Sequence, residues 1–290
     1  MRTQALDAWQ SALRGWRRRD SMALLVLLIY GLIAAATQLG WQIGGQGPDP
    51  VWAAAQERGT LRVAVEFGYY PFSWLRNGEP SGYDIDLARA VAQELGLRAE
   101  FVPSNLDSIY DDLSTHKADI AASALPYAPE QGWRAGFSTF YFNAGLVLVV
   151  PQGAKIAGVE GLAGRRLGVA LGTDADTYAR QLAAAHPGVA VRSGYDTPAA
   201  AFADLRRGQL DAVIADNAAA LIDLGHTPGL QTVGPALTLE PYAIAMPSEA
   251  YQVRDAVNRA LENLRQEGFF ERNGAAWFVQ APPRPANDRQ

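Results

Sequence analysis

Two stretches of the chain repeat one another at a distance of 92 residues. Ile109–Ser123 reads IYDDLSTHKADIAAS and Ala201–Ala215 reads AFADLRRGQLDAVIA, so that Asp112-Leu113 and Asp119 recur as Asp204-Leu205 and Asp211. In each copy a short helix breaks at a turn, near His116 or Gly208, and feeds an apolar strand. A further strand and helix precede each copy: LRVAVE then YDIDLARAVAQELG in the first, RRLGVALG then DTYARQLAAAH in the second. Continuous apolar strands that alternate with amphipathic helices predict parallel sheets covered on both faces. Two α/β lobes are therefore expected.

The helical spacing is explicit at Ile85, Leu87, Ala88, Val91, Ala92 and Leu95, with Gly96 as the stop. GLVLVVP (145–151) is long and apolar enough to leave one lobe and enter the other. LEPYAIAMP (239–247) reads as a strand returning, and Val253–Phe270 as a helix whose Val257, Leu261 and Leu264 dock on the first lobe. This assigns 58–147 and 240–280 to lobe 1 and 148–239 to lobe 2. Two crossings make a hinge, and a hinge between α/β lobes implies a ligand cleft.

Ahead of the lobes, Met22–Trp41 is a run of twenty uncharged residues preceded by Arg17-Arg18-Arg19-Asp20. Twenty helical residues span about 30 Å, the thickness of a bilayer core. The arginines predict a cytoplasmic leader over 1–21, a transmembrane helix or uncleaved signal anchor over 22–41, and everything later outside the cytoplasm. Cleavage after Ala34-Ala35-Ala36 is the alternative, and it puts the lobes in the same compartment. Residues 42–57 open Gly/Pro-rich and read as a linker; 281–290 (APPRPANDRQ) reads as a disordered tail.

Charge follows the same division. Residues 1–41 carry five arginines against two aspartates (+3), and the remainder 20 basic and 28 acidic groups (−8), for a net −5. That balance argues against a nucleic-acid surface. With no cysteine there is no disulfide, no thiol nucleophile and no lipid-modified cysteine. GxSxG, HExxH and GxxxxGK[ST] are absent, and His116, His186 and His226 are scattered, so neither an enzyme motif nor a metal or cofactor site is expected.

Glu66 and Asp216 both follow apolar strands, where an α/β cleft opens. Each reads either as an amine clamp or as a cap or hinge ion pair, since Asp216-Asn217 directly precedes a helix-like run. Tyr69, Tyr70, Phe72 and Trp74 lie beside Glu66, a composition that suits a cationic ligand. Gly172-Thr173-Asp174 joins a strand to a helix: its N–H groups suit an anion, or Thr173 merely caps the helix.

Gly59-Thr60-Leu61-Arg62-Val63, Gly82-Tyr83-Asp84-Ile85-Asp86-Leu87-Ala88, Lys117-Ala118-Asp119-Ile120, Leu162-Ala163-Gly164-Arg165-Arg166-Leu167-Gly168-Val169 and Leu210-Asp211-Ala212-Val213-Ile214-Ala215-Asp216 come in that order. Over about residues 59–278 the chain thereby resembles the extracytoplasmic solute-binding proteins of family 3, the amino-acid receptors of ABC importers. The resemblance implies a two-lobed periplasmic-binding-protein-like fold (type II) with a two-strand hinge, preceded here by one transmembrane helix. It implies a monomer on the periplasmic side of the inner membrane that closes on a small polar solute and presents it to a permease or sensor. It also implies ligand contacts at Glu66 and Asp216 (ammonium), Tyr69 (stacking) and Gly172-Thr173 (carboxylate), with Ser123 and Gln131 secondary. The family's Thr-Pro-Glu-Arg reads here Ala128-Pro129-Glu130-Gln131, with Pro126 at an upstream hydroxyl position. A neutral amide cannot replace a bidentate guanidinium, so Gln131 puts the usual carboxylate contact in doubt. Arg134 is either its substitute or a surface residue. Two further readings come from similar modules: cyclohexadienyl dehydratases, which use cleft acids for elimination, and the sensing part of membrane-bound lytic transglycosylases.

Overall fold

The computed structural model describes residues 49–280. The repeated aspartates do the same work twice. Asp119 accepts the Arg62 N–H at 2.8 Å and donates its own N–H to the Arg62 carbonyl at 2.9 Å; Asp211 does the same with Arg166 at 2.8 and 2.9 Å. Each carboxylate also takes the guanidinium of that arginine, at 2.9 Å for Asp119 and 3.0 Å for Asp211, and Asp119 takes Arg58 as well at 2.5 Å. Leu113 and Leu205, six residues before, are both buried. Each copy thus fastens the start of one strand to its parallel neighbour, and a fully paired carboxylate is tolerated there because its charge and lone pairs are satisfied.

In chain order the elements are α1 (Pro50–Arg58), β1 (Thr60–Val65), the hairpin β2 (Trp74–Arg76) and β3 (Glu79–Ser81), α2 (Tyr83–Glu94), β4 (Arg98–Pro103), α3 (Ile109–Ser114), β5 (Ile120–Ala121), β6 (Ala135–Asn143) and β7 (Leu146–Pro151). Then come β8 (Arg166–Ala170), α4 (Asp174–Ala185), β9 (Ala190–Tyr195), α5 (Pro198–Arg206), β10 (Ala212–Asp216), α6 (Asn217–His226), β11 (Leu230–Val233), β12 (Pro241–Pro247), α7 (Tyr251–Gln266) and α8 (Phe269–Gly274). Two five-stranded sheets result, ordered β4-β1-β5-β12-β6 and β11-β7-β10-β8-β9.

Three expectations change. The sheets are mixed, not parallel: β4-β1-β5 and β10-β8-β9 are parallel, whereas β12 runs antiparallel to both β5 and β6, and β7 antiparallel to both β10 and β11. β7 and β12, the strands that follow the crossings, enter their sheets from the cleft end and so run against the strands beside them. GLVLVVP does not cross: Leu146–Pro151 lies wholly in the second sheet, and the chain changes lobes between Asn143 and Leu146. Nor does the linker reach residue 57. Asp49 accepts the N–H groups of Val51 and Trp52, Pro50 opens the helix, and Val51 and Ala55 are buried, so Pro50–Arg58 is helical. The leader 1–21, the apolar span 22–41, the first part of the linker and the tail 281–290 lie outside the described residues. Among the described residues no helix is long and apolar enough to cross a membrane.

The two crossings touch. The Asn143 side chain accepts from Gly145 N–H at 3.1 Å and from Glu240 N–H at 2.9 Å, and Leu146 N–H donates to the Thr238 hydroxyl at 2.8 Å. A Cβ on Gly145 would stand 2.0 Å from the Thr238 carbonyl oxygen. Gly145→Ala is therefore expected to force the crossings apart, costing about 1–3 kcal/mol in urea denaturation and changing the lobe separation seen by small-angle scattering. An unchanged melt and scattering curve would show that the crossings yield freely.

A third link lies behind the cleft. α6 follows a strand of the second sheet, yet Ala218 is buried in the first lobe's core, with Leu221 and Ile222 packed against it. The C-terminal turn Ala275–Gln280 lies on α6 so closely that a Cβ on Gly225 would stand 2.2 Å from the Phe278 carbonyl oxygen. Val257, Leu261 and Leu264 of α7 complete this core.

Candidate functional site

The first half of the site is built on the carboxyl ends of β1 and β5. Glu66 follows β1; its N–H donates to Ser123 Oγ at 3.0 Å and its carbonyl accepts Ser73 Oγ at 2.7 Å. Ser123, two residues past β5, is only 4% exposed. Tyr69 is 47% exposed, with its ring stacked on buried Phe72 at 5.4 Å. Together with Leu106, Pro126 and Tyr242, these residues wall a pocket of about 470 Å³. Burial, reinforced by a hydrogen bond with Tyr69 and by the charge of Glu240, pushes the Tyr242 phenol up from its ordinary value.

Under this wall lies Asp84, fully buried in the first turn of α2. Its Oδ2 accepts the Ala124 N–H at 2.5 Å, holding Ala124 at φ +48° and turning Ser123 and Ala124 toward the pocket. Burial raises its carboxyl to about 7, although the Ala124 amide and the Tyr141 hydroxyl draw it back down.

The second half gathers at the ends of β8 and β10. Thr173, Asp174, Ile214, Asp216 and Glu240 line a pocket of about 140 Å³. Asp216 serves as cap and wall at once: Oδ1 accepts the Ala219 N–H at 2.8 Å, and the carboxylate borders the pocket. Thr173 caps α4, accepting the Asp176 N–H at 3.4 Å, and its hydroxyl donates to the Ala170 carbonyl at 2.8 Å. The Gly172 N–H donates to Asp176 Oδ2 at 3.2 Å, so this turn's first donor is taken by the protein's own carboxylate. Asp176 is held in turn by Arg180 at 2.9 Å.

The structure thus places Glu66, Tyr69 and Ser123 on one half and Thr173 and Asp216 on the other, with Gly172 beside the second. Gln131 ends the turn Pro129–Gln131 and lines neither pocket. Arg134 pairs with Asp111 at 2.6 Å and lies 5.4 Å from the Tyr110 ring, so it does not stand in for the missing guanidinium. No Lys or Arg is among the residues lining either pocket. Glu240, just ahead of β12, borders the smaller pocket. Its carboxyl is raised by partial burial and by the charges of Asp174 and Asp216. Its only sequence signal was its place at the second crossing.

A model of the bacterial extracellular solute-binding proteins, family 3, matches residues 61–280. The chain is 28% identical to the L-cystine-binding protein TcyJ of Escherichia coli (strain K12) over 254 residues, 86% of this chain and 94% of that protein. Among solved structures it is similar to an ancestral cationic amino acid solute binding protein at 32% identity and a TM-score of 0.62, covering 78% of this chain and 98% of that one. It is also similar to an ancestral cyclohexadienyl dehydratase at 27% identity and a TM-score of 0.68, covering 82% and 99%.

Proposed function

The chain belongs to the bacterial extracellular solute-binding proteins, family 3, and from that premise we propose that it is a receptor for an amino acid or a related small amine-bearing solute. It closes its lobes around the solute and delivers it to an ABC-type importer. The observation that carries this reading is the pair of half-sites across the hinge, each offering carboxylates and neither a basic side chain. Glu66 and Asp216 take the amine from opposite lobes, Tyr69 lies against the solute and attracts its cationic part, and Ser123 and Thr173 border it. Contacts to both lobes favour the closed population, and that differential affinity is the signal a permease reads. Residues 22–41 hold the receptor at the periplasmic face as a monomer; cleavage there leaves it soluble in the same compartment.

A thermal-shift screen with amino acids, amines and muropeptides tests the proposal, because a ligand that binds only the folded state stabilises it by RT ln(1 + [L]/Kd). Asp216→Asn keeps the helix cap, since Asn caps as well as Asp. It is expected to leave the unliganded melt in place while weakening an amine ligand tenfold or more, about 1.4 kcal/mol. Unchanged affinity would remove Asp216 from the site. The similar ancestral dehydratase supports a second reading, an elimination catalyst. That reading requires turnover of prephenate or arogenate, lost when Glu66 is neutralised.

A further inference from the structure

We propose that this cleft selects a solute carrying at least two cationic groups, that it does not require a carboxylate on that solute, and that Glu240 is the residue that sets this preference. The inference rests on the receptor reading above and narrows it to a chemical class: diamines, polyamines and guanidino-amines.

The cavity is defined by the fold and its aromatic wall, independently of charge: Tyr69, Leu106 and Tyr242 enclose the larger half. The acidic groups bordering the two halves then decide what fits. Glu66 stands on the first lobe, Asp174 and Asp216 on the second, and Glu240 on the second crossing. Basic side chains near these walls are spent elsewhere, Arg62 on Asp119, Lys117 on Asp112, Arg134 on Asp111, Arg180 on Asp176 and Arg206 on Asp223. Glu240 has no ion-pair partner among the described residues.

Position makes Glu240 different from the other three. Its N–H donates to Asn143 at 2.9 Å and its carbonyl accepts the Ala144 N–H at 2.9 Å, so its backbone is tied to the opposite crossing. A residue at the pivot moves least when the lobes rotate, and its carboxylate remains at the cleft floor in open and closed forms alike. Its charge already reaches both halves, raising Tyr242 on one side and being raised by Asp174 and Asp216 on the other. Closure brings Glu66 toward this group, and like charges approaching in a cleft that is losing water repel with increasing force. One ammonium leaves that repulsion largely uncompensated, whereas a second cation at Glu240 offsets it. The unliganded cleft is held open by its own charge, and a dication closes it.

The places where a solute carboxylate would sit are poor. Gln131 is outside the pockets, the Gly172 amide is given to Asp176, and the first turn of α4 carries both Asp174 and Asp176. A carboxylate there meets negative charge on a helix N-terminus whose dipole is already answered.

Isothermal titration of matched pairs decides the matter: arginine against agmatine, lysine against cadaverine, with glutamine as the zwitterion and butylamine as the monocation. Agmatine and cadaverine are expected to bind at least as tightly as arginine and lysine, and glutamine and butylamine at least tenfold more weakly. Glu240→Gln, checked for an unchanged unliganded melt, is expected to weaken agmatine tenfold or more while moving butylamine less than threefold. Amino acids binding a hundredfold more tightly than their decarboxylated partners would overturn the inference and leave the receptor intact. Agmatine affinity within twofold of the parent in Glu240→Gln would remove Glu240 from the preference. If no solute in the set binds at millimolar concentration, the receptor reading itself falls, and this inference with it.

Discussion

Replacing Phe72 with alanine is expected to lower stability by about 3–5 kcal/mol and, at temperatures where the variant is still folded, to weaken any ligand that lies against Tyr69. Phe72 is fully buried, and its ring meets Tyr69 at 5.4 Å, Tyr83 at 5.8 Å, Phe142 at 5.1 Å, Tyr242 at 5.5 Å and Phe278 at 5.8 Å. Those partners come from the loop after β1, α2, β6, β12 and the C-terminal turn, so the cavity left by truncation opens at the meeting point of five segments and cannot collapse onto one. Two partners, Tyr69 and Tyr242, are also pocket walls. Phe278 lies in the turn that packs on α6, whose N-terminus is capped by Asp216. A single ring therefore supports the aromatic wall of one lobe and the segment that holds the other lobe's helix. Phe72→Leu fills most of the volume and is expected to recover more than half of the lost stability while restoring less of the affinity, because Tyr69 still lacks a flat face to stack on. Urea denaturation and titration of the two variants measure both quantities. A loss below about 1 kcal/mol for Phe72→Ala, under the range for a buried aromatic, would mean that the cluster repacks without its centre.

The sequence carried the parts of this molecule that depend on local pattern. The aspartates repeated at 92 residues mark the same strand-fastening contact in both lobes, and Val257, Leu261 and Leu264 face the core that their helical spacing predicts. It was less informative where one contact outweighs local composition. Pro50–Arg58 follows a Gly-rich stretch and reads as linker, yet the Asp49 cap and two buried apolar residues suffice for two turns of helix. Strand direction next to a crossing is set by which end of the sheet the chain enters, and no residue type encodes that. Among the residues that line the two pockets, Glu66, Tyr69, Ser123, Thr173 and Asp216 are legible because each follows a strand end in a recognisable motif. Glu240 is not, since an exposed glutamate at the start of a strand looks like any surface charge until the opposite crossing is seen beside it. Asp84 was hidden for the reverse reason: an acidic residue in a helix's first turn is common, and only the fold shows that this one is buried under the pocket.

That burial leads to the second large effect, a stability that falls as pH rises toward neutrality. A free aspartate titrates near 4, whereas Asp84 in the folded protein is raised to about 7, chiefly by burial. Between those values the folded state holds a proton that the unfolded chain has released, so stability declines with increasing pH across the window from about 4 to about 7 and is flat in this group above it. Three pH units correspond to about 4 kcal/mol as an upper bound. The paired carboxylates act in the opposite sense. Asp112, Asp176, Asp204 and Asp211 are all lowered, Asp211 to about 2 by its hydrogen bond with Arg166. Their contribution is present above about 4 and is lost as pH falls through their folded values. The two trends oppose each other, and the Asp84 contribution draws the stability optimum toward acid pH. Asp84→Asn keeps an oxygen for the Ala124 N–H and removes the ionisation. In this variant the decline between pH 4 and 7 is expected to vanish, and at pH 8 it is expected to exceed the parent in stability. Every other ionisable group is common to both proteins and cancels in the difference. Urea midpoints at pH 4.5, 6, 7 and 8 are sufficient, and a parallel pair of curves would show that Asp84 ionises without strain in the folded state.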